Sequence, residues 1–500
     1  MHTLNIRQMW ESIRHYFVYQ PNQPLLFNSE VFLVWFLIVY GLYQFAYKKV
    51  SWRVALLLVF SLFFYYKSSG LFFVLLLVST VVNFWVGSRL HVAQKPSSRK
   101  ILLWLSVFFN LGLLGYYKYT NLILSTINRL QEWFTLDALP VFNRQDIILP
   151  VGISFFTFQA MSYTIDIYRQ KIRPIHNIFE FGFFISFFPQ LVAGPIVRAS
   201  DFLPQIRKKL VLSKIDLSRA LFLIMSGLVK KAVISDYISV NFVDRVFENP
   251  ALYSSFETWS AFYGYALQIY CDFSGYSDMA IGLALLFGFR LPDNFRAPYQ
   301  SASITEFWRR WHISLSSWLR DYLYISLGGN RKGVGHTYKN LIITMLLGGL
   351  WHGASWKFVL WGALHGFWLA VERLFEPVTS KIPKAIRFVP GLLFTFHFVC
   401  FAWIFFRASS FDMAISFIHS MLQPVDWELG KEVITSLPKV YWLMLIGFLL
   451  HAIPLNWDKE VQRLFAKLPW AIMALVLAII IILVIQFSSS EVVPFIYFQF

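Results

Sequence analysis

The feature that most constrains this chain is a recurrence of apolar runs of about 17–20 residues from one end to the other, the length a helix needs to cross a bilayer. A backbone inside hydrocarbon must satisfy its own N–H and C=O groups, so such runs are read as helices. They lie near 30–47, 53–66, 70–88, 101–117, 147–166, 178–195, 217–235, 257–271, 276–290, 338–372, 390–407, 438–455 and 470–487. The pattern predicts an all-α polytopic membrane protein with roughly 11–14 membrane-embedded helices. Several runs are short or interrupted by Gly and Pro, and these read as buried or re-entrant pieces. Of the 500 residues 57% are hydrophobic and only 14% charged, against about 25% charged in a soluble chain. A disordered chain, a coiled coil and an ordinary soluble globule are thereby excluded. With no soluble domain, linker or repeat in view, the chain is expected to be one membrane-embedded domain over 1–500, its motifs gathered in 148–372 and a tail at 488–500.

Charge supplies orientation. The net charge is +17, and such an excess in a membrane protein gathers in cytoplasmic loops. A nucleic-acid partner is the weaker reading, and none is expected. Lys48, Lys49 and Arg53, then Arg89, Lys95, Arg99 and Lys100, then Arg169, Lys171 and Arg173, are placed inside. Alternation puts the N-terminus, Lys67–Gly70 and the stretch 118–146 outside. Arg207, Lys208, Lys209 and Lys214 also ask for the inside, although only 178–195 intervenes. That run carries Pro189, Gly194 and Pro195, so a re-entrant pair would restore the parity. Lys459, Arg463 and Lys467 precede the last run, which sends the C-terminal tail outside. Residues 1–24 are polar and contain proline, so no cleavable signal peptide is expected. Cys271 and Cys400 are the only cysteines, too few for a disulfide framework or a cysteine zinc site.

Polar chemistry concentrates between 263 and 372. In Glu306–Tyr324 the residues Phe307, Trp311, Leu315, Trp318 and Tyr322 form one helical stripe. Arg309, His312, Ser316 and Arg320 follow on another face, giving an amphipathic helix with an aromatic side and a cationic, His-bearing side. Its arginines suit lipid phosphates at an interface. They equally suit a phosphate-rich donor such as coenzyme A or a phosphopantetheine carrier. The 32 residues Leu341–Glu372 are too many for one span and few for two. His352 falls about 16 Å along a helix that starts at Leu341, near mid-bilayer, among Gly348, Gly349 and Gly353, which permit a break or a close helix approach. An ionisable group at that depth is a functional candidate by default; the bland alternative is a neutral His bonded between helices. His365, nearer the end of the run, reads more readily as structural. Asp272 and Asp278 lie in or beside an apolar run, placed either to orient the histidines or to pair with Arg309 and Arg310, structural pairing being the favoured role. Asn294, Arg296 and Tyr299 form a polar turn with the same ambiguity.

Gly-x-Ser-x-Gly, His-Glu-x-x-His and P-loop motifs are absent from the sequence, so a covalent serine hydrolase, a zincin and an ATPase lack their signatures. Two histidines without a protein nucleophile fit direct transfer of an acyl group to a hydroxyl, with His as the base.

The stretches 148–169, 187–198, 270–282, 294–333 and 345–366, among them WRRWHIS and GLWHG, resemble the membrane-bound O-acyltransferase family, and the likeness is strongest to its bacterial branch that O-acetylates exopolysaccharides such as alginate. The resemblance implies helices around a tunnel across the bacterial inner membrane, with donor entering from the cytoplasm and acceptor from the other side. It places the two active-site histidines on His312 and His352, with His352 the deeper. Arg309, Arg310, Ser316, Arg320, Asp321, Asp272 and Asn294 become donor-binding or supporting residues. No permanently bound cofactor and no metal are implied; the donor is acetyl-CoA or an acyl-carrier thioester. The implied partners are the lipid bilayer, an extracytoplasmic acetyltransferase or esterase-like protein, and a polysaccharide acceptor. The tail PFIYFQF is apolar enough to return to the membrane surface as an aromatic anchor. It is also similar to the C-terminal tyrosine motif of the small partner peptide in teichoic acid D-alanylation, which would make Tyr497 an acyl relay. D-alanyl transfer to teichoic acid is the nearest rival function. A transporter or flippase of lipid-linked sugar is the rival from another class, but its internal repeats are not seen.

Overall fold

The computed structural model describes Arg14, residues 16–21, 24–135, 140–209 and 211–487, and the tail pair 495–496. Every regular element among them is helical. The chain divides into two compact units, Met1–Ser213 with Leu283–Leu291, and Lys214–Gly282 with Pro292–Phe500.

The first unit contains α1 (Glu30–Ala46), α2 (Val50–Ser69), α3 (Phe73–Val92), α4 (Pro96–Leu114), α5 (Thr120–Trp133), α6 (Ile153–Tyr168), α7 (Ile178–Ser186) and α8 (Ala199–Ile206). Polar side chains join its apolar helices. Asn83 of α3 accepts from both Ser106 and Asn110 of α4 at 2.8 Å, and Ser106 meets Thr164 of α6 at 2.9 Å. Such bonds are strong glue where water is absent. A Cβ on Gly87 would stand 2.6 Å from the Tyr163 ring, so α3 and α6 pack at a distance only glycine allows. The expected broken piece at 178–195 is found. Helix α7 stops at Phe187, a four-residue turn Phe188–Leu191 follows with a proline in its first turn, and residues 180–197 are buried.

The second unit begins with α9 (Lys214–Leu228), which continues through wide π-type turns at Val229–Ser235 and short helical segments into α10 (Ser255–Leu286), a helix belonging to this unit as far as Gly282. The two runs expected at 257–271 and 276–290 are one unbroken helix of 32 residues. Its polar middle does not break because partners come from α9 and its continuation. Asp272 and Asp278 are paired there, and Gly275 meets Gly227 so closely that a Cβ on either would lie within 2.8 Å of the other's carbonyl oxygen. Then follow α11 (Ile304–Arg310), α12 (Ile313–Trp318), α13 (Val334–His352), α14 (Trp356–Thr379), α15 (Lys384–Arg407), α16 (Phe411–Met421), α17 (Trp427–Ser436), α18 (Pro438–Ala452), α19 (Leu455–Lys467) and α20 (Trp470–Phe487). The awkward length of Leu341–Glu372 is resolved as two helices, each reaching beyond the run, with the break directly after His352. Gly349 of α13 and Gly362 of α14 face the partner backbone, where a side chain would collide with Phe358 O and Met345 O.

Among the described residues, five helical stretches are long and apolar enough to cross a membrane: Val50–Val92, Pro96–Trp133, Trp356–Thr379, Lys384–Arg407 and Trp470–Phe487. A sixth span results if Trp427–Ser436 and Pro438–Ala452, bent by 92°, are taken together.

Candidate active site

The site lies within the second unit and is built around a break in what the sequence presents as one amphipathic helix. The aromatic stripe is buried as expected: Phe307, Trp311, Leu315, Trp318 and Tyr322 all face the interior. The cationic face does not form as expected. The helix stops at Arg310 and restarts at Ile313, and His312 between them adopts a left-handed backbone with φ 42°. His312 is therefore fully buried, while Arg309 and Arg320 remain exposed.

Asn294 causes the break. Its turn runs alongside, so that Arg296 N–H donates to Arg310 O and Ile313 N–H donates to Asn294 O, both at 3.0 Å. The Asn294 amide then organises the histidine. Its Nδ2 donates to Ser277 Oγ at 3.1 Å. Its Oδ1 accepts from Ser314 Oγ at 2.9 Å and from Ser314 N–H at 3.3 Å, and lies 3.2 Å from His312 Nδ1. With the amide oxygen fixed towards the ring, Nδ1 carries the hydrogen and Nε2 is the basic nitrogen. Burial pushes the His312 imidazole down to about 3, so the ring is neutral across the physiological range.

His352 ends α13 immediately before the break at Gly353 and is also buried. Its ring centroid lies 6.5 Å from that of His312. Trp351, Trp361 and Phe406 surround His352 at 5.0–5.4 Å, and Phe273 meets His312 edge-on at 4.6 Å. All four walls are buried. An aromatic enclosure of this kind limits the access of water to the rings. His365 lies buried beside this enclosure. Its Nδ1 accepts from Trp308 Nε1 at 3.3 Å, and its ring lies 4.8 Å from Trp361.

The supporting residues scatter. Arg310 pairs with Glu306 at 2.6 Å, Arg320 with Asp321 at 2.7 Å, and Ser316 Oγ donates to Trp311 O at 3.2 Å. Asp272 and Asp278 take neither Arg309 nor Arg310. Lys231 holds Asp272 at 2.5 Å and Asp236 at 2.7 Å, and Lys230 holds Asp278 at 2.6 Å. The sequence reading missed these lysines, although two adjacent cations inside the apolar run 217–235 are the signal that marks buried pairing. The tail also differs from expectation. Phe495 and Ile496 are buried, 0% and 4% exposed, rather than spread on a membrane surface. Tyr497 lies outside the described residues.

Two buried histidines thus lie close together within an aromatic enclosure, in a chain with several helices long and apolar enough to cross a membrane. The chain belongs to the membrane-bound O-acyltransferase family, whose model matches residues 113–414. It is 39% identical over 512 residues to a probable alginate O-acetylase of Pseudomonas putida, covering 95% of this chain and 100% of that one. The corresponding protein of Azotobacter vinelandii is 42% identical over 421 residues, covering 83% and 82% of the two chains. A peptidoglycan O-acetyltransferase of Helicobacter pylori is 37% identical over 463 residues, covering 86% of each. The chain is an O-acyltransferase of the membrane.

Proposed function

We propose that this enzyme moves an acetyl group from a cytoplasmic thioester, acetyl-CoA or an acylated carrier, across the inner membrane for O-acetylation of an exopolysaccharide of the alginate type. The observation that carries the reading is the fixed tautomer of His312, 6.5 Å from His352, in a chain similar over nearly its whole length to a probable alginate O-acetylase. A hydroxyl oxygen attacks the thioester carbonyl, the C–O bond forms and the C–S bond breaks. The hydroxyl proton passes to His312 Nε2 and from there to the leaving sulfur. A buried imidazole is a weak base, so proton transfer accompanies attack rather than preceding it. His352 donates to the carbonyl oxygen as charge develops there.

Tyr497 is proposed as the hydroxyl that carries acetyl in transit, the final transfer falling to an extracytoplasmic acetyltransferase or esterase-like partner. The docking of Phe495 and Ile496 in the interior, next to Phe273, supports this, because it brings the chain to the residue before Tyr497. Arg309 and Arg310 are proposed to meet the donor phosphates. Both chain termini are placed outside the cell membrane by charge alone.

The test supplies purified enzyme with radiolabelled acetyl-CoA, an acetylated carrier or a D-alanylated carrier. Acetyl consumption with label on the chain, lost in Tyr497→Phe, is expected. Exclusive use of the D-alanyl donor would replace this reading with teichoic acid D-alanylation, and consumption of none of the three would overturn it.

A further inference from the structure

A buried ion cluster lies one side chain away from His312. Lys231 is shared by Asp236 and Asp272, and all three side chains are at least nine-tenths buried. The Lys231 ammonium engages Asp272 through Oδ1. The other oxygen, Oδ2, accepts the main-chain N–H of Ile496 at 3.0 Å. The preceding residue, Phe495, packs at a tilt against Tyr276 at 4.9 Å and edge-on against Phe273 at 5.5 Å, and Phe273 is the ring packed on His312.

A carboxylate buried at this depth is costly unless it is paired. Asp272 has one oxygen neutralised by Lys231 and the other satisfied by a backbone group from the far end of the chain. Recognition through the main chain fixes the position of the tail whatever side chain stands at 496. Phe495 fills the space beside Phe273, so where the tail sits is read directly by the wall of the histidine site.

We infer that Asp272 is a positioning residue that latches the C-terminal tail into the active-site wall, with Lys231 holding the carboxylate ready and Phe495 as the wedge. Only the functional consequence rests on the acetyl-transfer reading; the latch itself is tested without activity.

Ile496→Cys is introduced into the full chain, with Cys271 and Cys400 changed to Ala, and the protein is exposed to a membrane-permeant maleimide. The latch predicts slow labelling that rises about tenfold or more when Asp272→Asn is added. Equal labelling in the two backgrounds overturns it. Because Asp272→Asn disturbs a buried ion and risks misfolding, a second arm uses Phe495→Ala, which removes no charge of the cluster and leaves Tyr497 in place. In acetyl transfer, Phe495→Ala and Asp272→Asn should each lower turnover, and their combination should be no worse than the more damaging of the two. Multiplicative losses would show that Asp272 acts elsewhere. Failure of all variants and wild type to turn over acetyl would reject the acetyl reading and leave the labelling result standing.

Discussion

His312 Nδ1 lies 3.2 Å from the side-chain oxygen of Asn294, whose other contacts with Ser277 and Ser314 leave that amide only one orientation. The same asparagine holds the backbone on the C-terminal side of the histidine. One side chain thus sets both the break in the helix and the tautomer of the ring it exposes to the site.

Asn294→Ala should therefore remove more than a contact. Ser314 and His312 each lose the contact with the Asn294 side-chain oxygen that aligns the ring. Turnover should fall about 10²–10⁴-fold, the usual range for a displaced base, while Asn294→Gln recovers little because the longer arm moves the oxygen. Turnover with saturating donor, together with thermal unfolding, checks this. A variant with wild-type turnover would dismiss the role.

Acid lability should follow from the same burial. The His312 ring is held near 3, against about 6.5 in an unfolded chain. Between those values the unfolded state binds the extra proton, so stability is complete above about pH 6.5 and declines as pH falls. His312→Gln should show a shallower loss of melting temperature between about pH 6.5 and 4.5 than wild type. Parallel pH profiles would contradict the assignment.

Glu372 of α14 caps α11 from outside, accepting N–H of Ile304 at 2.5 Å and the N–H and Oγ1 of Thr305 at 2.9 and 2.8 Å. Loss of a helix cap costs about 0.5–2 kcal/mol. Glu372→Ala should lower the melting temperature by a few degrees. Because α11 leads into His312, turnover should fall with it, whereas exposed Glu428→Ala should change neither.

The glycine contact between α13 and α14 should be intolerant. Gly362→Val drives a branched side chain into Met345 O, and overpacking of this kind costs about 1–3 kcal/mol or more. Reduced monodispersity in detergent is expected, with Gly335→Ala, where a Cβ meets open space, as the silent control.

Much of this was legible beforehand, and the failures share a cause. The apolar run from Trp470 became a helix through Phe487, and its Met473 packs with Met225 and Phe465. The length of Leu341–Glu372 left one span or two open, and the glycines around His352, read as permitting a break or a close approach, lie where the two helices part. The break at His312 was not legible, because it is imposed by Asn294, eighteen residues earlier, against a locally sound helical pattern. The fusion of two expected spans into α10 was hidden likewise, since Asp272 and Asp278 look like span-breaking charges until Lys230 and Lys231 arrive from another element. The tail looked like a surface anchor for the same reason, its acceptor lying on Asp272.

The most direct test of the central claim is a single-turnover measurement of acetyl-CoA consumption by purified protein in nanodiscs, comparing wild type with His312→Ala and His352→Ala. The account predicts that wild type consumes the thioester and that each variant, though folded, is slower by about 10²-fold or more. Variants that consume acetyl-CoA at the wild-type rate would contradict it, since the paired histidines would then not be the chemistry of this enzyme.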